Sequence, residues 1–135
     1  MAAISPVGLT FSSENQGSTS PVQKVKVTNS GSATLDIGGV SVGGTNSGDF
    51  QQTNNCGSSL VAGGNCSIDV TFAPTATGSR SATLDISDNA AGSPQSANLA
   101  GTGVPPATGS GSYTITIIAT SGSLIQTMPL TLTVR

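Results

Sequence analysis

One short run limits the fold of this chain more than any other. From Cys66 to Phe72 every second residue is apolar or cysteine. Cys66, Ile68, Val70 and Phe72 point one way, and Ser67, Asp69 and Thr71 the other. A period of two marks a β-strand with one face buried. No stretch carries the 3.6-residue period of a helix. Comparable runs return about every eight to twelve residues between turn signals, the pattern of an all-β sandwich or barrel.

The runs can be followed along the chain. Leu9-Thr10-Phe11 is the first. After Pro21, Val25 and Val27 face inward while Lys24, Lys26 and Thr28 face out, and Asn29-Ser30-Gly31-Ser32 reads as a turn. Leu35 and Ile37 alternate up to Gly38-Gly39, and Val40 and Val42 continue on the opposite parity, which predicts a β-bulge or sheet-switching bend. A short run follows from Phe50 to Asn54, then the strand over 66–72. Ala82, Leu84 and Ile86 form the next inward face, and Ala97 and Leu99 the last, within a strand over 94–102. These make seven strands by residue 103. Residues 32–37 and 81–86 are both Ser-Ala-Thr-Leu-Asp-Ile, two strands answering the same alternation and burial demands, since their flanks do not match.

Residues 104–112, Val-Pro-Pro-Ala-Thr-Gly-Ser-Gly-Ser, read as a linker, and 113–135 as a hairpin turning at Ser121-Gly122-Ser123. Tyr113, Ile115, Ile117 and Ala119 share a face of its first strand, and Leu130, Leu132 and Val134 a face of its second. A lone two-stranded hairpin is marginal in water, so this one must be covered.

Composition narrows the function classes. Charged residues are 7% of the 135, the formal net charge is −2, and only four Lys or Arg are present. That is too little positive charge to track a phosphate backbone, so no nucleic-acid partner is expected. No apolar run is long enough to span a membrane, and the N-terminus lacks the layout of a signal peptide. The surface is left to Ser, Thr, Asn, Gln and Gly, which gives little charge repulsion against self-association.

Cys56 and Cys66 are the only cysteines, and there is no histidine. Their spacing is too long for a C-x-x-C redox couple, and the chain lacks the further ligands of a zinc set. They read as a structural disulfide clipping a Gly/Ser/Asn-rich loop to the strand after it. A link this short contributes on the order of 2.5–3 kcal/mol in the loop-entropy account, and it favours an oxidising, extracellular or cell-surface setting. Asp85, Asp88 and Asn89 offer oxygens near a strand end, but they lack the dense array of a calcium loop, so Asp88 and Asn89 are read as turn caps. Asn65-Cys66-Ser67 fits the N-glycosylation pattern, with no use expected for it.

Catalysis has little to stand on. Serines abound without a histidine base, Lys24 and Lys26 sit on a solvated strand face, and Glu14, the sole glutamate, is placed in a loop. No enzyme activity, cofactor or metal is expected. Phe11, Phe50 and Phe72 read as core rather than sugar-stacking platforms, which leaves Tyr113 as the one amphipathic aromatic.

Residues 9–103, about 70% of the chain, resemble the ASH-type immunoglobulin-like domains named for abnormal-spindle and hydin proteins, in the version found in bacterial choice-of-anchor D proteins. The segments that carry the resemblance are Leu9-Thr10-Phe11, Val25 to Gly31, Gly48-Asp49-Phe50, Asn55-Cys56-Gly57, Cys66 to Pro74, Gly78 and Ala100-Gly101-Thr102-Gly103. The resemblance implies a seven-stranded antiparallel immunoglobulin-like sandwich related to chaperone and sperm-protein folds, with no shared catalytic residues. Residues 113–134 are similar to the final hairpin of a different bacterial immunoglobulin-like repeat, whose earlier strands have no counterpart here.

Two functional expectations follow. The first is an extracellular structural module that self-associates as a homo-oligomer or filament by β-strand complementation. In that case Tyr113, Ile115, Ile117, Leu130, Leu132 and Val134 are the assembly residues. The second is a non-catalytic accessory or adhesion module of a larger secreted protein, with a glycan or protein ligand at its loops. The hairpin packing in cis, or the chain being cut from a tandem array, are the plainer readings of its C-terminus.

Overall fold

A computed structural model describes residues 1–106 in full and the backbone of 111–121 and 124–134. Twelve strands account for most of them: β1 (Ala2–Ser5), β2 (Gly8–Thr10), β3 (Glu14–Asn15), β4 (Gln23–Asn29), β5 (Leu35–Gly43), β6 (Phe50–Asn54), β7 (Ser59–Leu60), β8 (Asn65–Phe72), β9 (Gly78–Asp88), β10 (Gln95–Val104), β11 (Gly111–Ser121) and β12 (Leu124–Val134). A 3₁₀ turn, Ser47–Asp49, leads into β6.

Two sheets face each other. The first has the order β1-β4-β8-β6 and the second β2-β10-β9-β5-β7, with β3 also on β10. Merging the short pieces β1 and β2 into one split first strand, and setting aside the two-residue strands β3 and β7, leaves the seven strands expected, in the ABED and GFC order of an immunoglobulin sandwich. The chain is not wholly antiparallel, however. It crosses from one sheet to the other around Pro6, so β2 runs parallel to β10, with Leu9 opposite Leu99, and β3 does the same with Glu14 opposite Gly103. Glu14 therefore lies in a two-residue strand rather than a loop. Val104, read as linker, ends β10 opposite Asn15.

The alternation anticipated for each strand is the alternation that builds the core. Val25, Val27, Ile68, Val70, Phe72, Leu84, Ile86, Ala97 and Leu99 are all at most 1% exposed. The parity change at Gly38-Gly39 is a bulge, because the β5–β9 register shifts between Ile37 and Gly39. The second Ser-Ala-Thr-Leu-Asp-Ile copy lies wholly in β9, whereas only the Leu-Asp-Ile of the first lies in the adjacent strand β5. In both the Leu and the Ile are buried, while Ala33 is exposed and Ala82 buried. Shared burial at Leu and Ile with unlike surroundings is what equal alternation demands, without duplication, would produce.

One turn residue was misread. Asn29 is the last residue of β4, fully buried, and its side chain is saturated. Its Nδ2 donates to the Ala33 carbonyl at 2.7 Å and the Leu60 carbonyl at 3.0 Å, and its Oδ1 accepts from the Gly31 N–H at 3.0 Å. A buried amide is tolerated only when satisfied in this way, and here it ties the turn after β4 and the short strand β7 to one strand end.

Candidate functional site

Several of the segments that carry the resemblance, those around Phe11, Asp49-Phe50, Phe72 to Pro74 and Gly101 to Gly103, meet at one end of the sandwich, and each has a packing reason. Phe11, Phe50 and Phe72 form a single cluster, with centroids 5.0 to 5.9 Å apart. Phe72 lies flat over β10. A Cβ built on Gly101 would sit 2.6–2.8 Å from its ring carbons, and one on Gly103 would meet the Ala76 carbonyl oxygen. Gly-Thr-Gly at the end of β10 is thus the space that Phe72 and the loop after Pro74 occupy.

Gly48-Asp49-Phe50 completes this end. Asp49, 2% exposed, accepts from Arg80 Nε at 2.5 Å and Thr75 Oγ1 at 2.7 Å. Its own carbonyl takes the Ala73 N–H at 2.7 Å. Burial pushes the carboxyl up, but the bonds from Arg80 and Thr75, with the Arg80 charge, outweigh it and hold the group below its ordinary value of 3.8. One sign of this pairing is legible in the residues alone: Asp49 stands immediately before the core residue Phe50, a place where a charge needs a partner. The cluster is a structural clamp, with no free nucleophile or base.

At the opposite end Cys56 and Cys66 are disulfide-bonded and both 3% exposed. Asn54 Oδ1 accepts from the Cys56 N–H, and Asn55 Oδ1 from the Ser67 N–H, so the loop is also held by its asparagines. Asp88 and Asn89 act as caps. Asp88 Oδ1 takes the Ala90 N–H at 2.8 Å, while Asn89 bonds both the backbone and the carboxylate of Asp36. Among the described residues no group of acidic, cysteine and histidine side chains is arranged to hold a metal.

Two surface features are left as candidates for function. The first is an open groove of about 350 Å³ on the outer face of β4 and β8, lined by Lys24, Thr53, Asn54, Asn55, Ser67 and Asp69. Lys24 and Asp69 bridge it at 2.6 Å. Phe11, Phe50 and Phe72 lie in the core, as expected, so none of them offers this groove a stacking surface.

The second is the C-terminal pair of strands. β11 and β12 form a two-stranded antiparallel sheet of their own. Tyr113 stands opposite Leu132, Ile115 opposite Leu130, Ile117 opposite Met128, and Gly111 opposite Val134. Directly opposed residues share a face, so the register gathers all six proposed assembly residues onto one face. Ser112, Thr114, Thr116, Thr127, Thr131 and Thr133 fall on the other. Residues 107–110 of the expected linker, Gly122 and Ser123 of the expected turn, and Arg135 lie outside the described residues.

No protein-family model matches the chain, and no curated protein sequence does either. Solved structures do. The ASH/PapD-like domain 7 of human CEP192 superposes with a TM-score of 0.57 at 17% identity, over 77% of this chain and 85% of that domain. Two Vibrio cholerae proteases, VesB and the secreted serine protease VesC, also match in part. VesB gives a TM-score of 0.55 at 18% identity over 76% of this chain, and VesC gives 0.54 at 18% over 73%. Only 31% of VesB and 23% of VesC are covered, so the likeness concerns a fraction of each. At such identities the likeness is one of fold. The two-sheet unit is an immunoglobulin-like sandwich, and within that class it has the ASH-type, PapD-like form.

Proposed function

We propose that this chain is a non-catalytic extracellular structural module that self-associates through its C-terminal hairpin by β-strand addition. The observation that carries the reading is the two-stranded sheet β11–β12. Its strands are eleven residues each, and among the described residues no other strand is hydrogen-bonded to either side of it. Unpaired edges of that length are templates for pairing with another chain. The buried disulfide supports an oxidising setting, and the low charge removes a barrier to association. Repeated head to tail, strand addition builds a filament.

The test is sedimentation and negative-stain microscopy of the full chain beside a version lacking residues 105–135. The reading expects oligomers or fibres from the first and monomers from the second. A full chain that stays monomeric at high concentration would sink it. The polar groove beside Lys24 favours a second reading, an accessory module with a glycan ligand. Binding on a glycan array that is lost with Asn55→Ala would favour it.

A further inference from the structure

The two edges of the hairpin are not equivalent, and the difference selects a partner. In an antiparallel ladder alternate residues direct their N–H and C=O toward the paired strand and away from it. Proline has no N–H, and within sheets it is accommodated where its nitrogen faces outward from an edge strand. Pro129 sits inside β12, opposite Thr116, with the register unbroken on both sides. Position 129 is therefore outward-facing, and so are 125, 127, 131 and 133. The outer edge of β12 lacks a donor at its centre and is closed to a further strand.

The same parity makes Ser112, Thr114, Thr116, Ile118 and Thr120 the outward-facing residues of β11. Each has both a donor and an acceptor. The open row spans about 27 Å at ~3.4 Å per residue. No outermost strand of the sandwich matches it. β1 has four residues, β6 five, β2 three and β7 two. The exposed side of β5 is already met by Gln52, whose Nε2 donates to the Val40 carbonyl.

We propose that the occupant of this edge is β11 of a second copy, paired antiparallel about a twofold axis at Thr116. The proposal rests on the self-association reading above and specifies its contact. Centred there, Thr116 pairs with its counterpart, Thr114 with Ile118, and Ser112 with Thr120. Five pairs exchanging two bonds each give about ten main-chain hydrogen bonds, the number a typical specific interface makes. The parity also matches, so the faces carrying Tyr113, Ile115 and Ile117 join into one. A marginal hairpin becomes a four-stranded sheet with an apolar face, large enough to be stable, and Pro129 closes both of its outer edges. The contact is isologous and stops at two chains. A filament then needs a second, different contact.

Cysteine scanning and mass measurement on the full chain test this. A hydrogen-bonded antiparallel pair has Cα atoms about 5.5 Å apart, within the roughly 4.4–6.8 Å a disulfide accepts. Thr116→Cys should give mostly covalent dimer under mild oxidation. In Ser112→Cys the two positions lie about 27 Å apart, and the chain should stay uncrosslinked. Pro129→Thr, which restores the missing donor, should convert dimers into larger species. Self-association with equal crosslinking at 112 and 116, or a Pro129→Thr chain of unchanged mass, would overturn the twofold edge while leaving self-association standing. A monomeric full chain would remove both.

Discussion

Replacing Asp49 by Ala removes the centre of the clamp that joins the 3₁₀ turn, the loop after Pro74 and β9. The carboxylate is almost fully buried and accepts from Arg80 and Thr75. Its loss strands a guanidinium whose side chain is 18% exposed, together with a hydroxyl. Breaking a buried pair by removing one partner costs about 3–5 kcal/mol. The Arg80 side chain keeps some contact with water, which puts the expected loss near the lower bound, about 3 kcal/mol. For a domain of this size that lowers Tm by roughly 12 °C. Asp49→Asn keeps an acceptor for Thr75 and loses only the charge, so about 1.5–2 kcal/mol is expected.

The pH dependence of that loss has a definite sign. The carboxyl is held below 3.8 in the folded chain. Its stabilisation is therefore fully present above the unfolded value and fades as pH falls through the lower, folded one. Urea denaturation of the wild type and Asp49→Asn should show a constant gap from pH 5 to 7 that narrows below about pH 4. An Asp49→Ala loss under about 0.5 kcal/mol, or a gap that does not move with pH, would refute the clamp.

Other expectations are simpler. Replacing Cys56 and Cys66 together by Ala should cost about 2.7 kcal/mol from released loop entropy, read as a shift in the urea midpoint, with a comparable loss in the wild type under reductant. Gly101→Ala should cost at least about 1–3 kcal/mol by overpacking. Adding Phe72→Leu should recover part of it, since the ring is what the new methyl meets; full additivity of the two losses would contradict that contact. Lys24→Ala should change stability by no more than about 1 kcal/mol, because its ion pair with Asp69 is solvent-exposed.

The sandwich was legible where burial is one-sided. Strands such as Cys66–Phe72 and Ala82–Ile86 write their pairing face into every second residue, and the bulge at Gly38-Gly39 left a parity break. β1 was missed because Ala2 and Ala3 blur the alternation and Pro6 divides the strand. The parallel pairing of β2 is invisible locally, since it depends on where β10 returns some ninety residues later. Asn29 and Asp49 were harder still. Polar residues beside glycines look like turns, and only the assembled structure shows the buried partners that satisfy them. In the C-terminal hairpin the apolar periodicity was plain. What it implied for the edges emerged only once the register placed Pro129 opposite Thr116.

The central claim is that residues 111–134 carry self-association. Sedimentation equilibrium of the full chain over a wide concentration range tests it most directly. The account predicts a mass of at least twice 13.1 kDa, falling to that of a single chain when residues 105–135 are removed. A full-length mass of 13.1 kDa at every concentration would contradict it.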